Sequence, residues 1–116
     1  MPEIEAVNEE SFDTEVTHSK IPTLVDFWTP QCGPCKPLSI ILKKFYETVE
    51  GKLKIVKINA EEYPGLANRL GVRGVPTLML FHHGKAIGTQ TGVLLPPELR
   101  QWIETCLPET SKESKR

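Results

Sequence analysis

At 116 residues with a formal net charge of −1, the chain suits one domain with its own core and carries no nucleic-acid footprint. No apolar run reaches the length of a membrane span, and the first 20 residues set six acidic side chains against Lys20 alone, the opposite of a secretory or transit signal. Three cysteines, an odd count, suit a reducing compartment rather than a disulfide scaffold.

Ile4, Ala6 and Val7 predict a short edge strand, after which Asn8 or Ser11 can cap a short helix holding Phe12, Val16 and His18. Pro22 restarts the chain. Leu24 to Trp28 is apolar on both faces except for Asp26, the pattern of a central strand covered from both sides. A carboxylate in that setting is costly unless it is protonated or partnered. A turn through Thr29, Pro30 and Gln31 leads to the C-x-x-C pair, Cys32 and Cys35. Residues 34–49 then repeat Leu38, Ile41, Leu42, Phe45 and Val49 at helical spacing. Pro37 falls at the first helical turn, where a missing N–H is tolerated best, and Gly51 ends the helix.

Leu53 to Ile58 reads as a strand, and Glu61 to Leu70 as a short helix opened near Pro64 and closed by Gly71. Thr77 to Phe81 and Lys85 to Thr91 form a hairpin across His83 and Gly84. The last helix begins at Pro96-Pro97 and sets Leu99, Trp102, Ile103 and Cys106 on one face. Residues 108–116 have no apolar side chain and read as a frayed polar tail, which leaves a domain over residues 1–107. Strands separated by helices, then a hairpin and a helix, argue an α/β fold with a mixed sheet.

A C-x-x-C pair serves zinc and redox chemistry alike. Zinc needs two further ligands, and the adjacent histidines His82 and His83, alternating along a strand end, point to opposite faces. The position after a strand and at the mouth of a helix favours redox. Unpaired N–H groups and the positive end of the helix dipole stabilise a thiolate at Cys32. Cys35, one turn deeper, is placed to resolve the mixed disulfide that Cys32 forms. Asp26 is either a buried acid with a hydrogen-bonding partner or a carboxyl of raised pKa that relays a proton for Cys35. Cys106, on the buried stripe of the last helix, reads as a packed, unreactive thiol.

The run Trp28 to Lys36, W-x-x-x-C-G-P-C-K, resembles the active site of the thioredoxin family. The likeness extends to Asp26, to Lys57 in the next strand, to the loop Val72-Arg73-Gly74-Val75-Pro76-Thr77 and to Gly84 and Gly92, so it covers about residues 3–107. It implies the thioredoxin fold, a central mixed sheet with helices on both faces. It also implies a thiol–disulfide oxidoreductase that reduces protein disulfides, with Cys32 as nucleophile, Cys35 as resolving thiol, and Asp26, beside Lys57, as proton relay. A cis Val75-Pro76 bond would let the Val75 backbone pair with an extended substrate. Trp28, Gln31, Gly33, Pro34, Val75, Pro76 and Gly92 would form the surface that receives it. No bound cofactor or metal is implied. The partners would be disulfide-containing proteins and a thioredoxin reductase, NADPH- or ferredoxin-linked, acting on a monomer in the cytoplasm or in an organelle stroma or matrix.

Two departures stand out. Most members carry tryptophan where this chain has Gln31, so docking to a standard reductase or to some targets is expected to weaken. Members also more often carry a proline where Ile40 stands, so the chain lacks the residue that kinks this helix midway. The competing reading is a binding or assembly module on the same fold, with incidental redox activity.

Overall fold

The computed structural model describes residues 3–107; the polar tail expected at 108–116 lies outside the described residues. Five strands, β1 (Glu5–Ala6), β2 (Thr23–Trp28), β3 (Lys54–Asn59), β4 (Thr77–His82) and β5 (Lys85–Thr91), form one mixed sheet in the order β1-β3-β2-β4-β5. Both β1 and β2 run parallel to β3, while β4 is antiparallel to β2 and to β5. Three α-helices accompany them, α1 (Cys35–Thr48), α2 (Pro64–Arg69) and α3 (Pro96–Cys106), with a single π-helical turn at Asp13–Thr17.

Alternation along the central strands builds two cores. Val25 and Phe27 of β2, with Val56 and Ile58 of β3 and Met79 and Phe81 of β4, pack against Phe12, Val16 and α2. Leu24, Ile55, Leu78 and Leu80 point the other way, onto Leu38, Leu42 and Phe45 of α1 and Leu99 and Ile103 of α3. The period of two puts Asp26 and Trp28 on the α1 side, two and four residues after Leu24. Lys57, the register partner of Asp26, faces the same way. Each fully buried leucine in these layers contributes roughly 1.5–3 kcal/mol.

The register also places the remaining loop. Phe27 pairs with Thr77, so the start of β4 lies beside the end of β2, and Val75-Pro76 adjoins the segment that carries Cys32. The Val75-Pro76 bond is cis. The Gly92 N–H donates to the Pro76 carbonyl at 3.0 Å, and the Thr77 hydroxyl donates to the Gly74 carbonyl at 2.6 Å, so the loop is held from both ends.

Four local expectations need correction. The second helix does open at Pro64, but the segment from Glu61 assigned to it lies outside, because the Asn59 side chain accepts the N–H groups of Glu61 and Glu62 and holds them in a turn. Asn8 and Ser11 cap each other (Ser11 N–H to Asn8 Oδ1 at 2.8 Å, Asn8 N–H to Ser11 Oγ at 3.1 Å) and form a turn ahead of the helical segment, which is π rather than α. Val49 ends α1 as its C-terminal cap, half-buried against the core. His82 and His83 do not point to opposite faces: their rings lie 3.8 Å apart, centroid to centroid. Strand alternation fails there because His83 and Gly84 both take positive φ, 55° and 78°, as a tight hairpin turn requires.

Candidate functional site

The loop between β2 and α1 is wound tightly. The Cys32 N–H donates to the Thr29 carbonyl at 3.2 Å, and the Lys36 N–H donates to the Gly33 carbonyl at 3.3 Å. Pro34 caps α1, and Pro37 sits in its first turn, where no intrahelical partner exists for an N–H. From Cys35 the helix then runs uninterrupted past Ile40 to Thr48.

Cys32 and Cys35 are joined as a disulfide, with their Cα atoms 5.4 Å apart. The two sulfurs are not equivalent. Cys32 is half-exposed, whereas Cys35 is only 5% exposed. The Cys35 N–H donates to Cys32 Sγ at 3.2 Å, so the orphan donor at the start of α1 is aimed at the outer sulfur. That contact and the helix dipole both favour negative charge on Cys32.

Beside Cys35 lies a cavity of about 330 Å³ whose wall also includes Asp26, Trp28, Ser39, Ile40 and Lys57. Asp26 is 4% exposed, and its Oδ1 has no hydrogen-bond partner among the described residues. Burial pushes its carboxyl up from 3.8 to about 7, against the pull of the Lys57 ammonium on the neighbouring strand. The Lys57 Nζ also stands 6.0 Å from the centre of the Trp28 ring. A base that titrates near neutrality thus shares a cavity with the buried sulfur.

On the outer side, Gln31, Gly33 and Pro34 are exposed and surround Cys32 in sequence, while Val75 and Gly92 are half-buried at the neighbouring loop. Val75 also lines a second hollow with Thr29, Ala60 and Arg73. Cys106 lies apart from all of this. It is half-buried, packed over Gly88 on β5, and burial raises its thiol pKa. Among the described residues no group of three or more His, Cys, Asp or Glu could hold a metal ion, and no helix is long and apolar enough to cross a membrane.

Sequence reasoning did not single out Ser39, nor did it give Ile40 any place at the site. Both line the cavity, and Ile40 is 59% exposed at its rim. The signal was present for Ser39, which lies four residues after Cys35 and so on the same helical face.

The thioredoxin family model matches residues 3–105 of the chain. Curated relatives include a thioredoxin of Haemophilus influenzae, 39% identical over 103 residues that span 89% of this chain and 96% of that protein. Thioredoxin 1 of Nostoc sp. is 39% identical over 98 residues, covering 84% of this chain and 92% of the relative. A thioredoxin of Rickettsia felis is 40% identical over 97 residues, with the same coverage.

Proposed function

The chain belongs to the thioredoxin family and is a thiol–disulfide oxidoreductase; from that premise we propose that Cys32 attacks, Cys35 resolves and Asp26 relays the proton of Cys35. The observation that carries this reading is the division of the pair: an outer sulfur that meets solvent and an inner sulfur that shares a cavity with a buried carboxyl titrating near neutrality.

The Cys32 thiolate attacks one sulfur of a substrate disulfide. A Cys32–substrate bond forms, and the other substrate sulfur leaves as a thiolate. Cys35 then gives its proton to the Asp26 carboxylate and attacks Cys32 Sγ. The Cys32–Cys35 bond forms, the second substrate thiolate departs, and Asp26 returns its proton toward solvent. Two electrons pass to the substrate, and the chain is left as the disulfide seen here. Lys57 holds the relay's charge balance by opposing the burial of Asp26.

Substrate binding falls to the Cys32 rim and the adjoining loop: Trp28, Gln31, Gly33, Pro34, Val75, Pro76 and Gly92. The exposed segment at Gln31 to Pro34 and the cis loop tied to Gly92 support this, because together they leave an edge against which an extended peptide can lie. Partners are disulfide-bearing proteins and a thioredoxin reductase. The electrons come from NADPH or ferredoxin through that reductase, and this chain acts as a monomer without a cofactor of its own, in the cytoplasm or another reducing compartment.

The test is disulfide reduction by Cys32→Ser, Cys35→Ser and the double variant. Cys35→Ser should accumulate mixed disulfides through Cys32, and Cys32→Ser should be inert. A double variant that keeps full biological activity would replace this reading with that of a binding module.

A further inference from the structure

The proton that Asp26 receives must leave through a cavity whose lining runs out to the exposed Pro30, Lys36 and Ile40, and the reading of Asp26 as relay does not say how. This inference rests on that reading. The titratable and charged groups around Asp26 are Lys57 on β3 and Cys35 and Lys36 on α1, while β4 sets apolar Leu78 opposite it. A lysine ammonium donates but cannot accept, so Lys57 cannot pass a proton onward in its charged form. A hydroxyl can do both.

Two hydroxyls line the cavity, those of Thr29 and Ser39. Thr29 belongs to the loop ahead of Cys32. Ser39 sits one helical turn beyond Cys35, on the same face of α1, and is followed by the exposed Ile40 at the rim. It therefore shares both the cavity and the helix face with the buried sulfur. A space of about 330 Å³ accommodates several waters at roughly 30 Å³ each, and each such water needs two to four polar partners. The unpaired Asp26 Oδ1, the Ser39 hydroxyl and the Lys57 ammonium supply them.

We propose that Ser39 is a positioning residue for the relay, its hydroxyl holding the Asp26 carboxylate through cavity water and handing its proton to solvent past Ile40. A hydrogen bond donated toward a carboxylate favours the charged form. Ser39 therefore offsets part of the burial that raises Asp26, and its loss moves the carboxyl further up.

The experiment compares wild type, Ser39→Ala, Ser39→Thr and Asp26→Asn in two ways. Carbon NMR titration of the Asp26 carboxyl is made in the oxidised protein. The rate of the resolving step against pH is followed by Trp28 fluorescence after mixing the reduced protein with a small disulfide peptide. Ser39→Ala should raise the Asp26 midpoint by about one pH unit, the worth of a typical net hydrogen bond. Its resolving step should run up to about tenfold slower on the acid side of both midpoints. Ser39→Thr, which keeps the hydroxyl, should restore both. If Ser39→Ala titrates and resolves as wild type does while Asp26→Asn is slow, Ser39 is only part of the wall and the proposal is overturned. If Asp26→Asn resolves as fast as wild type at every pH, the relay reading itself falls and takes this proposal with it.

Discussion

Replacing Asp26 with asparagine should remove one large pH-dependent contribution to stability. The carboxyl titrates at 3.8 when unperturbed and at about 7 in the fold. At about 1.4 kcal/mol per pH unit, that gap amounts to roughly 4 kcal/mol. The sign follows from which state holds the proton. The folded chain keeps Asp26 protonated at pH values where the unfolded chain has released it. The contribution is therefore fully present below pH 3.8, erodes as pH rises, and is gone above about 7. Against a typical domain stability of about 5–15 kcal/mol, this is a large share. Asparagine keeps the volume, and whatever its unpaired amide costs in the cavity is the same at every pH. The quantity to measure is thus the difference between variant and wild type, from guanidinium unfolding of the oxidised proteins at intervals between pH 4 and 9. The variant should gain by about 4 kcal/mol relative to wild type across that range, with most of the change between pH 4 and 7. A difference that stays constant with pH would refute the burial of an ionisable Asp26.

Other expectations are as sharp. Lys57→Met removes the cation that pulls the Asp26 carboxyl down, so the alkaline-rising limb of the resolving rate should shift further toward high pH; an unmoved limb would sever Lys57 from the relay. Gly88→Ala would place a Cβ 2.5 Å from Cys106 Sγ and 3.2 Å from the Trp102 ring. Such overpacking should cost about 1–3 kcal/mol in chemical denaturation. Cys106→Ala in the same chain should return much of it, and a Gly88→Ala variant as stable as wild type would show that α3 is free to shift. Gln31→Trp restores a large apolar contact beside Cys32 and should raise reductase-coupled kcat/KM about three- to tenfold, equivalent to roughly 1 kcal/mol of buried surface. No gain would mean that Gln31 does not limit docking.

Most of the fold and the heart of the site were legible in the sequence, for reasons that can be named residue by residue. Asp26 is conspicuous because a carboxylate interrupts an otherwise apolar central strand, and the structure gives that anomaly a cavity. The hairpin and β5 were legible from the glycine-containing turn and the alternation on either side of it. What escaped depended on groups that compete locally for backbone. Asn59 draws off the N–H groups that would have begun α2 three residues earlier, and periodicity carries no trace of that bond. The histidine pair was misplaced because alternation was extended into a turn whose positive φ cancels it. Ser39 passed unnoticed because a serine on a helix is ordinarily a solvated residue; only the space opposite it gives it a place at the site.

The position of β2 in the sheet has a further consequence. Its two neighbours both follow it in the chain, and they pair in opposite senses: β3 is parallel to it and β4 antiparallel. Peeling either edge strand away leaves β2 paired on both sides. Amide protons of Val25 and Phe27 should therefore exchange with deuterium only when the whole molecule opens, whereas those of β1 and β5 exchange through local fraying. Asp26, lodged between those two residues, cannot reach bulk water through breathing of its own strand. In the proposed relay its proton therefore travels sideways, through the cavity that Asp26 lines together with residues of α1. On that proposal, the same strand pairing that protects the backbone leaves proton traffic at the dithiol to the side chains that line this cavity.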